Sequence, residues 1–362
     1  MRQFIAFVLV LVFVITLPLA LLAFNVGRVL FDGTTAKQAV TREVTESNLI
    51  ATTLEWYAKR RAQERVLTGQ AQTGIREPDA LKALEFVSPD NWRKIKTLVL
   101  PNQFLSDWVG VSFDGVNKWI DTNDPLPNII LEFKAWKEYE RGAPGKNAIQ
   151  IVYDSLPACK PADIDDFQKR LAAAKPGQEI LYNLYTPCMF PDPWKPDQNQ
   201  DYLDSQKEII DNVSDRFFLT QELAQIDKQA RVGADSIKQQ LRTIRSAANL
   251  ALIVPLVMIV LLLVLGLRSQ LDLARWVGIP IVVGGILSLL PTLAYPSIIA
   301  ALLSAGPLSE VPPQVSAEFI RAVGAVVAEI FQPMLYESLA ILFVGLVVTV
   351  LGIMRGRGKK AA

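Results

Sequence analysis

The side chains able to do chemistry are few, and most of them cluster late in the chain. Asp197-x-Asn199-x-Asp201, with Glu208 eleven positions after Asp197, repeats the oxygen-ligand spacing of a calcium loop. Calcium takes six to eight hard oxygen ligands, so carboxylates and an amide carbonyl at alternate positions of a turning loop suit it. Two features depart from that pattern: Tyr202 stands where the sharp turn needs glycine, and the upstream Pro191-Asp192-Pro193-Trp194-Lys195-Pro196 is not helical. A solvated helix start with acids in its first turn accounts for the same residues, because the positive end of the helix dipole favours them. The run Asp163, Asp165, Asp166 after Pro161 has the same explanation. Calcium is thus the one cofactor the sequence admits.

Cys159 and Cys188 are the only cysteines and histidine is absent. Two thiols are too few for a four-thiolate zinc or iron-sulfur site, and their separation excludes Cys-x-x-Cys redox chemistry. One disulfide is expected, closing a loop worth about 3 to 4 kcal/mol in the chain-entropy model; two buried free thiols are the alternative. Without histidine there is no Ser-His-Asp or Cys-His set and no His-Glu-x-x-His zinc site. Gly142-Ala143-Pro144-Gly145-Lys146-Asn147 lacks the glycine spacing and final hydroxyl of a phosphate-binding loop and reads as a turn. Ser-x-x-Lys and Gly-x-Ser-x-Gly do not occur. No catalytic residue is expected. Phe104, Trp108 and Val111, with Gly115 and Trp119, share one side of a predicted helix, as either a sugar-binding platform or ordinary core.

The elements that carry these residues divide into apolar and solvated blocks. Of 362 residues, 51% are hydrophobic, and the mean hydropathy is +0.25. Phe4–Phe24 holds no charged residue and is long enough to cross a hydrocarbon core of roughly 30 Å. Its length and the absence of a small-x-small site after it favour a retained anchor over a cleaved signal peptide. Ala248–Leu267, Trp276 to about Ala300, and Leu335–Met354 make three further spans, with Pro291 and Pro296 expected to end the third early.

Basic residues near span ends stay on the cytoplasmic side. Arg2, the Arg268 and Arg275 hairpin, and the tail of Arg355, Arg357, Lys359 and Lys360 therefore place both termini in the cytoplasm. Residues 29–246 then lie outside, where a disulfide persists. The loop at 304–334, with Glu310, Glu318, Arg321 and Glu329, lies outside too. The resulting division is an anchor at 1–28, an extracytoplasmic helical domain at 29–246, a three-helix membrane region at 247–354, and a basic tail at 355–362. The fold class is mainly α, in a multi-pass protein of the cell membrane.

Within the domain, Thr34–Arg65 is amphipathic, Ser88-Pro89-Asp90 caps a helix, and Pro101 opens another. Asn128–Phe133 is the one strand candidate. Residues 157–197 carry seven prolines, from Pro157 through Pro176 to Pro196, and predict a short helix between irregular segments. The stripe from Leu223 to Ala248 runs into the second span, as a stalk or as a helix packed on its own domain. Ala317–Gln332 predicts a separate amphipathic helix lying on the membrane or on the domain.

SPDNWRKIKTLVLPNQFLSDWVG, LPACKPADIDDF and RWVGIPIVVGGILSLL, in this order, resemble segments of a group of bacterial envelope proteins. Those proteins have an N-terminal anchor, a helical outer domain with two cysteines, and three closing spans. The resemblance implies architecture and carries no activity with it. A formal charge of +1 without basic runs argues against nucleic acid. The expected partners are the lipid bilayer and another envelope protein or a second copy. The expected role is a non-catalytic, membrane-anchored protein whose outer domain binds or scaffolds; a membrane enzyme or carrier using outer-domain carboxylates is the alternative.

Overall fold

A computed structural model describes residues 2–68, 82–175, 187–226, 230–266, 270–306, 308 and 311–358. Pro176, Arg268, Glu310, Lys359 and Lys360 lie outside them. Four helices are long and apolar enough to cross a membrane: Gln3–Phe31, Gly233–Leu265, Ala274–Ala305 and Pro313–Arg355.

The first of these is α1 (Arg2–Phe31), which continues seven residues past Phe24. The second is built from α11 (Ala230–Leu250) and α12 (Ile253–Gly266), with a turn at Ala251 and Leu252 between them. Pro255 explains that turn, since it has no N–H for the Ala251 carbonyl and its ring crowds that oxygen. The third, α13 (Ile279–Ala305), follows a π-helical turn at Ala274–Gly278 and runs through both Pro291 and Pro296. The expectation that they end it is wrong, because inside a packed span the loss of single backbone bonds is tolerated.

The fourth, α14 (Pro313–Gly358), is one helix of 46 residues with Pro333 inside it. The two separate segments expected here are therefore continuous. Tyr295 stacks on Phe331 at 4.6 Å, just before the proline. Arg42 meets Glu329 at 3.0 Å, and Arg321 meets Glu43 at 3.6 Å, so the first half of α14 is fastened to α2 (Thr35–Glu46).

Phe13, Leu17, Leu21, Leu262 and Met334 are buried between the spans. Helices in lipid associate through close packing, which small residues permit. A Cβ on Gly345 would stand 2.8 Å from the Val282 nitrogen, and one on Gly27 would stand 2.1 Å from the Ala248 Cβ. The outward faces are apolar as well: Leu293 is 70% and Phe343 67% exposed, a surface that water disfavours and lipid accepts. Asn25, fully buried on α1, donates from Nδ2 to Glu337 Oε2 at 2.7 Å and to the Leu21 carbonyl at 3.0 Å. Glu337 thus has a specific partner on α1.

Between α1 and α11 lies the polar domain. α3 (Leu49–Thr68), α4 (Pro89–Val99) and α7 (Ala143–Asp154) pack through Ala58, Trp92, Ile95, Val152 and Tyr153. Ser88 caps α4 by accepting from the Asn91 N–H, with Pro89 in the first turn, as its sequence predicts. α5 (Asn102–Asp121) begins after Pro101. β1 (Ile130–Glu132) leads into α6 (Lys134–Glu140) and pairs antiparallel with β2 (Arg216–Phe218), which the sequence did not signal. α8 (Pro161–Ala173), α9 (Lys195–Asn212) and α10 (Leu219–Ile226) complete the domain. α11 packs on α5, where Arg242 donates to the Ile120 and Thr122 carbonyls, both at 2.7 Å, and Arg245 pairs with Asp121 at 2.5 Å. Of the Leu223 to Ala248 stripe, Ala234 and Leu241 pack on Trp119 and Ile120 of α5, whereas Ile237 and Ile244 are exposed.

Candidate functional site: an aromatic face on the polar domain

Three neighbouring elements and the residue before one of them bring six aromatic rings together. α5 supplies Phe104 and Trp108, one turn apart; Phe133 precedes α6, which adds Trp136 and Tyr139; β2 adds Phe217. Trp108 lies 4.9 Å from Phe133 and 6.4 Å from Trp136, Phe104 lies 5.6 Å from Tyr139, and Phe217 stacks on Phe133 at 5.9 Å. Both indole N–H groups are used internally. Trp136 donates to the Val99 carbonyl at 2.7 Å and Trp108 to that of Glu132 at 3.4 Å, which pins the rings in place.

All six side chains are half-buried. A ring set that served only as core would be expected to close over at least some of its members, whereas here every ring keeps some accessible area, as the residues of an interaction surface do. Ion pairs flank it, with Glu132 to Arg216 at 3.0 Å and Lys137 to Asp215 at 2.8 Å. Most of these rings turn their faces and edges toward one another, with interplanar angles up to 67°, rather than presenting flat faces as a sugar platform would. Trp119 does not join them. It is buried with Ile120 and Ala234, and its indole donates to the Asp124 carbonyl at 2.9 Å.

Buried polar residues hold this face to the rest of the domain. Lys137, 6% exposed, donates to the Val213 carbonyl at 2.6 Å and to Asp215 at 2.8 Å, tying α6 to the segment that leads into β2. The Lys137 hydrogen bond and charge hold the Asp215 carboxyl below its ordinary range. Glu140 closes α6 with its side chain 2% exposed and Oε1 without a hydrogen-bond partner, and burial pushes its carboxyl up to about 7. Gln206 donates to the Glu140 carbonyl at 3.0 Å. Gly145 packs beneath the same oxygen, so the glycine-containing segment read as a turn is the start of α7. Neither Lys137 nor Glu140 carries a sequence signal, because a charged side chain gives no indication of burial until its partners are placed.

Cys159 and Cys188 form a disulfide with Cα atoms 4.8 Å apart. Cys188 is buried with Phe167 and Phe190. Gln198, 2% exposed, accepts from the Phe190 N–H at 2.9 Å and from the Tyr153 hydroxyl at 3.1 Å, and donates to the Cys188 carbonyl at 2.7 Å. Burial, followed by the charges of Asp154 and Asp192, pushes the Tyr153 hydroxyl up to about 12.

The calcium-spaced residues Asp197, Asn199, Asp201 and Glu208 all lie within the continuous helix α9. At 1.5 Å per residue, roughly 16 Å separates the first from the last along the axis, and neighbours two apart point to opposite sides. They do not converge on one point, and among the described residues no group of three or more acids and thiols could hold a metal. Asp163 instead caps α8, accepting from the Lys160 N–H at 3.2 Å. No protein-family model, curated protein or solved structure matches this chain.

Proposed function

We propose that this chain is a non-catalytic, membrane-anchored protein of the cell envelope whose domain at 29–246 lies outside the cytoplasm and holds a protein partner through the aromatic face. The observation that carries the reading is the set of six half-buried rings on α5, α6, β2 and the residue before α6, two of them held by indole hydrogen bonds. Rigid Trp, Tyr and Phe side chains bordered by ion pairs match the anatomy of protein interfaces, which have an aromatic centre and a charged rim. The disulfide supports an oxidising compartment for the domain. Arg2, Arg275 and Arg355 at the opposite span ends support cytoplasmic termini.

Val111, two turns along α5 from Phe104 and 42% exposed, is the place for a photo-crosslinking amino acid. In intact cells it should give one discrete protein adduct, either a second copy or another envelope protein, lost when Trp108 and Phe217 are changed to Ala. Leu171 on α8, 41% exposed, is the control position and should give none. Equal crosslinking from both positions, or lipid adducts alone from Val111, would overturn the reading.

A further inference from the structure

Two cavities follow the seam between α1 and the α11–α12 segment, and they share Leu252. The upper one, about 470 Å³, lies where both helices leave their apolar stretches and contains Arg28, Asp32, Arg245 and Asn249. The lower one, about 350 Å³, has only apolar side chains, among them Phe13, Leu17 and Leu21 of α1 and Leu256 and Ile259 of α12. On α1 the lining residues recur every three or four positions from Phe13 to Phe31, so a single stripe serves both cavities. From Leu21 to Phe13 the apolar part extends roughly 12 Å, against about 15 Å for one leaflet of hydrocarbon.

The charges in the upper cavity are mixed. Arg28 is exposed and has no ion-pair partner among the described residues. Arg245 shares its charge with Asp121 and lies over the Phe31 ring. Asp32, which lines this cavity, accepts from the Thr34 hydroxyl on both oxygens and from the Thr35 hydroxyl on Oδ2, and a carboxylate has capacity for a further donor. Two guanidinium groups beside one carboxylate do not suit a purely anionic headgroup, because Asp32 opposes it. They match a headgroup in which a phosphate sits next to a protonated amine.

We propose that this seam binds one glycerophospholipid with a primary-amine headgroup, its phosphate between Arg28 and Arg245, its ammonium at Asp32, and an acyl chain in the apolar groove below Leu252. Guanidinium groups pair with phosphate oxygens in charge-assisted bonds, and a primary ammonium donates to a carboxylate in a way that a quaternary one cannot. Gly27 against Ala248 fixes the separation of α1 and α11 at the upper cavity, while Ile281 of α13 and Ala340, Ile341 and Val344 of α14 complete the wall of the lower one.

The full-length protein, reconstituted in vesicles of equal parts phosphatidylethanolamine, phosphatidylglycerol and phosphatidylcholine, would be extracted in mild detergent and its retained lipid identified by mass spectrometry. Phosphatidylethanolamine should dominate. Arg28→Gln should lower total retained lipid by about tenfold, as expected for losing a charged hydrogen-bond partner. Asp32→Asn should keep lipid but lose the preference for the amine headgroup. Leu252→Trp, which puts a larger ring where the two cavities meet, should lower retention. Retained lipid that mirrors the vesicle mixture and ignores Arg28→Gln, or enrichment of phosphatidylglycerol over phosphatidylethanolamine, would overturn the proposal. Arg28 and Asp32 are exposed, so these two variants keep the test decisive should Leu252→Trp fail to fold.

Discussion

Glu140→Gln tests the energetics of the polar domain most directly. The Glu140 carboxyl is 2% exposed and held at about 7 by burial, against an ordinary value of 4.5. At roughly 1.4 kcal/mol per tenfold change in proton affinity, that difference corresponds to about 3 kcal/mol between the charged and neutral forms. The sign follows from proton linkage. Below pH 4.5 the group is protonated whether the chain is folded or unfolded, so folding carries no penalty. Between 4.5 and 7 only the unfolded chain releases the proton, and stability falls as pH rises; above 7 the loss is complete and constant. Glutamine is nearly the same shape and does not ionise. Unfolding of both proteins in one detergent, followed by near-ultraviolet circular dichroism at pH 4 and pH 8, should show the variant gaining about 3 kcal/mol on wild type between the two conditions. A difference that stays flat across this range would mean that water or a conformational change solvates Glu140, and the burial argument would fail.

Gln198→Leu removes three hydrogen bonds at once and leaves the Phe190 N–H, the Cys188 carbonyl and the Tyr153 hydroxyl with fewer partners in the interior. A loss of about 3 to 5 kcal/mol is expected, read as a lower unfolding midpoint and as faster proteolysis between the two cysteines. An unchanged midpoint would show that the network contributes little. Gly27→Val places carbon where the Ala248 Cβ already stands 2.1 Å from an ideal Cβ, so it should force α1 and α11 apart at a cost of about 1 to 3 kcal/mol. Gly324→Ala on α14, with no atom within 4 Å of the added carbon, is the matched control and should be neutral or stabilising by about 0.5 to 1 kcal/mol. Equal effects of the two substitutions on thermal unfolding would refute the close-packing argument.

Particular residues show where the sequence alone was sufficient. Apolar runs long enough for a bilayer core, charge-free apart from Glu337, marked the four helices that could span a membrane, because a continuous helix satisfies its own backbone hydrogen bonds where lipid offers no partner. Ser88-Pro89 and Pro101 marked the starts of α4 and α5 because capping and proline chemistry act within four residues. The local pattern misled where longer-range packing prevailed. Pro291, Pro296 and Pro333 read as breaks, yet neighbouring helices carry α13 and α14 through them. The calcium spacing is a property of an extended loop, and α9 is a helix, which sends the same oxygens to different sides.

The tertiary structure alone decided the partnerships between distant residues. Asn25 meets Glu337, Lys137 meets Asp215, and Gln198 joins the disulfide to Tyr153. It also decided that Trp108 belongs to a half-buried aromatic set while Trp119, on the same helix, is buried. Hydropathy and capping are short-range effects written into adjacent residues. Burial of a charge, or the exposure of a ring, depends on which distant segment arrives to cover it.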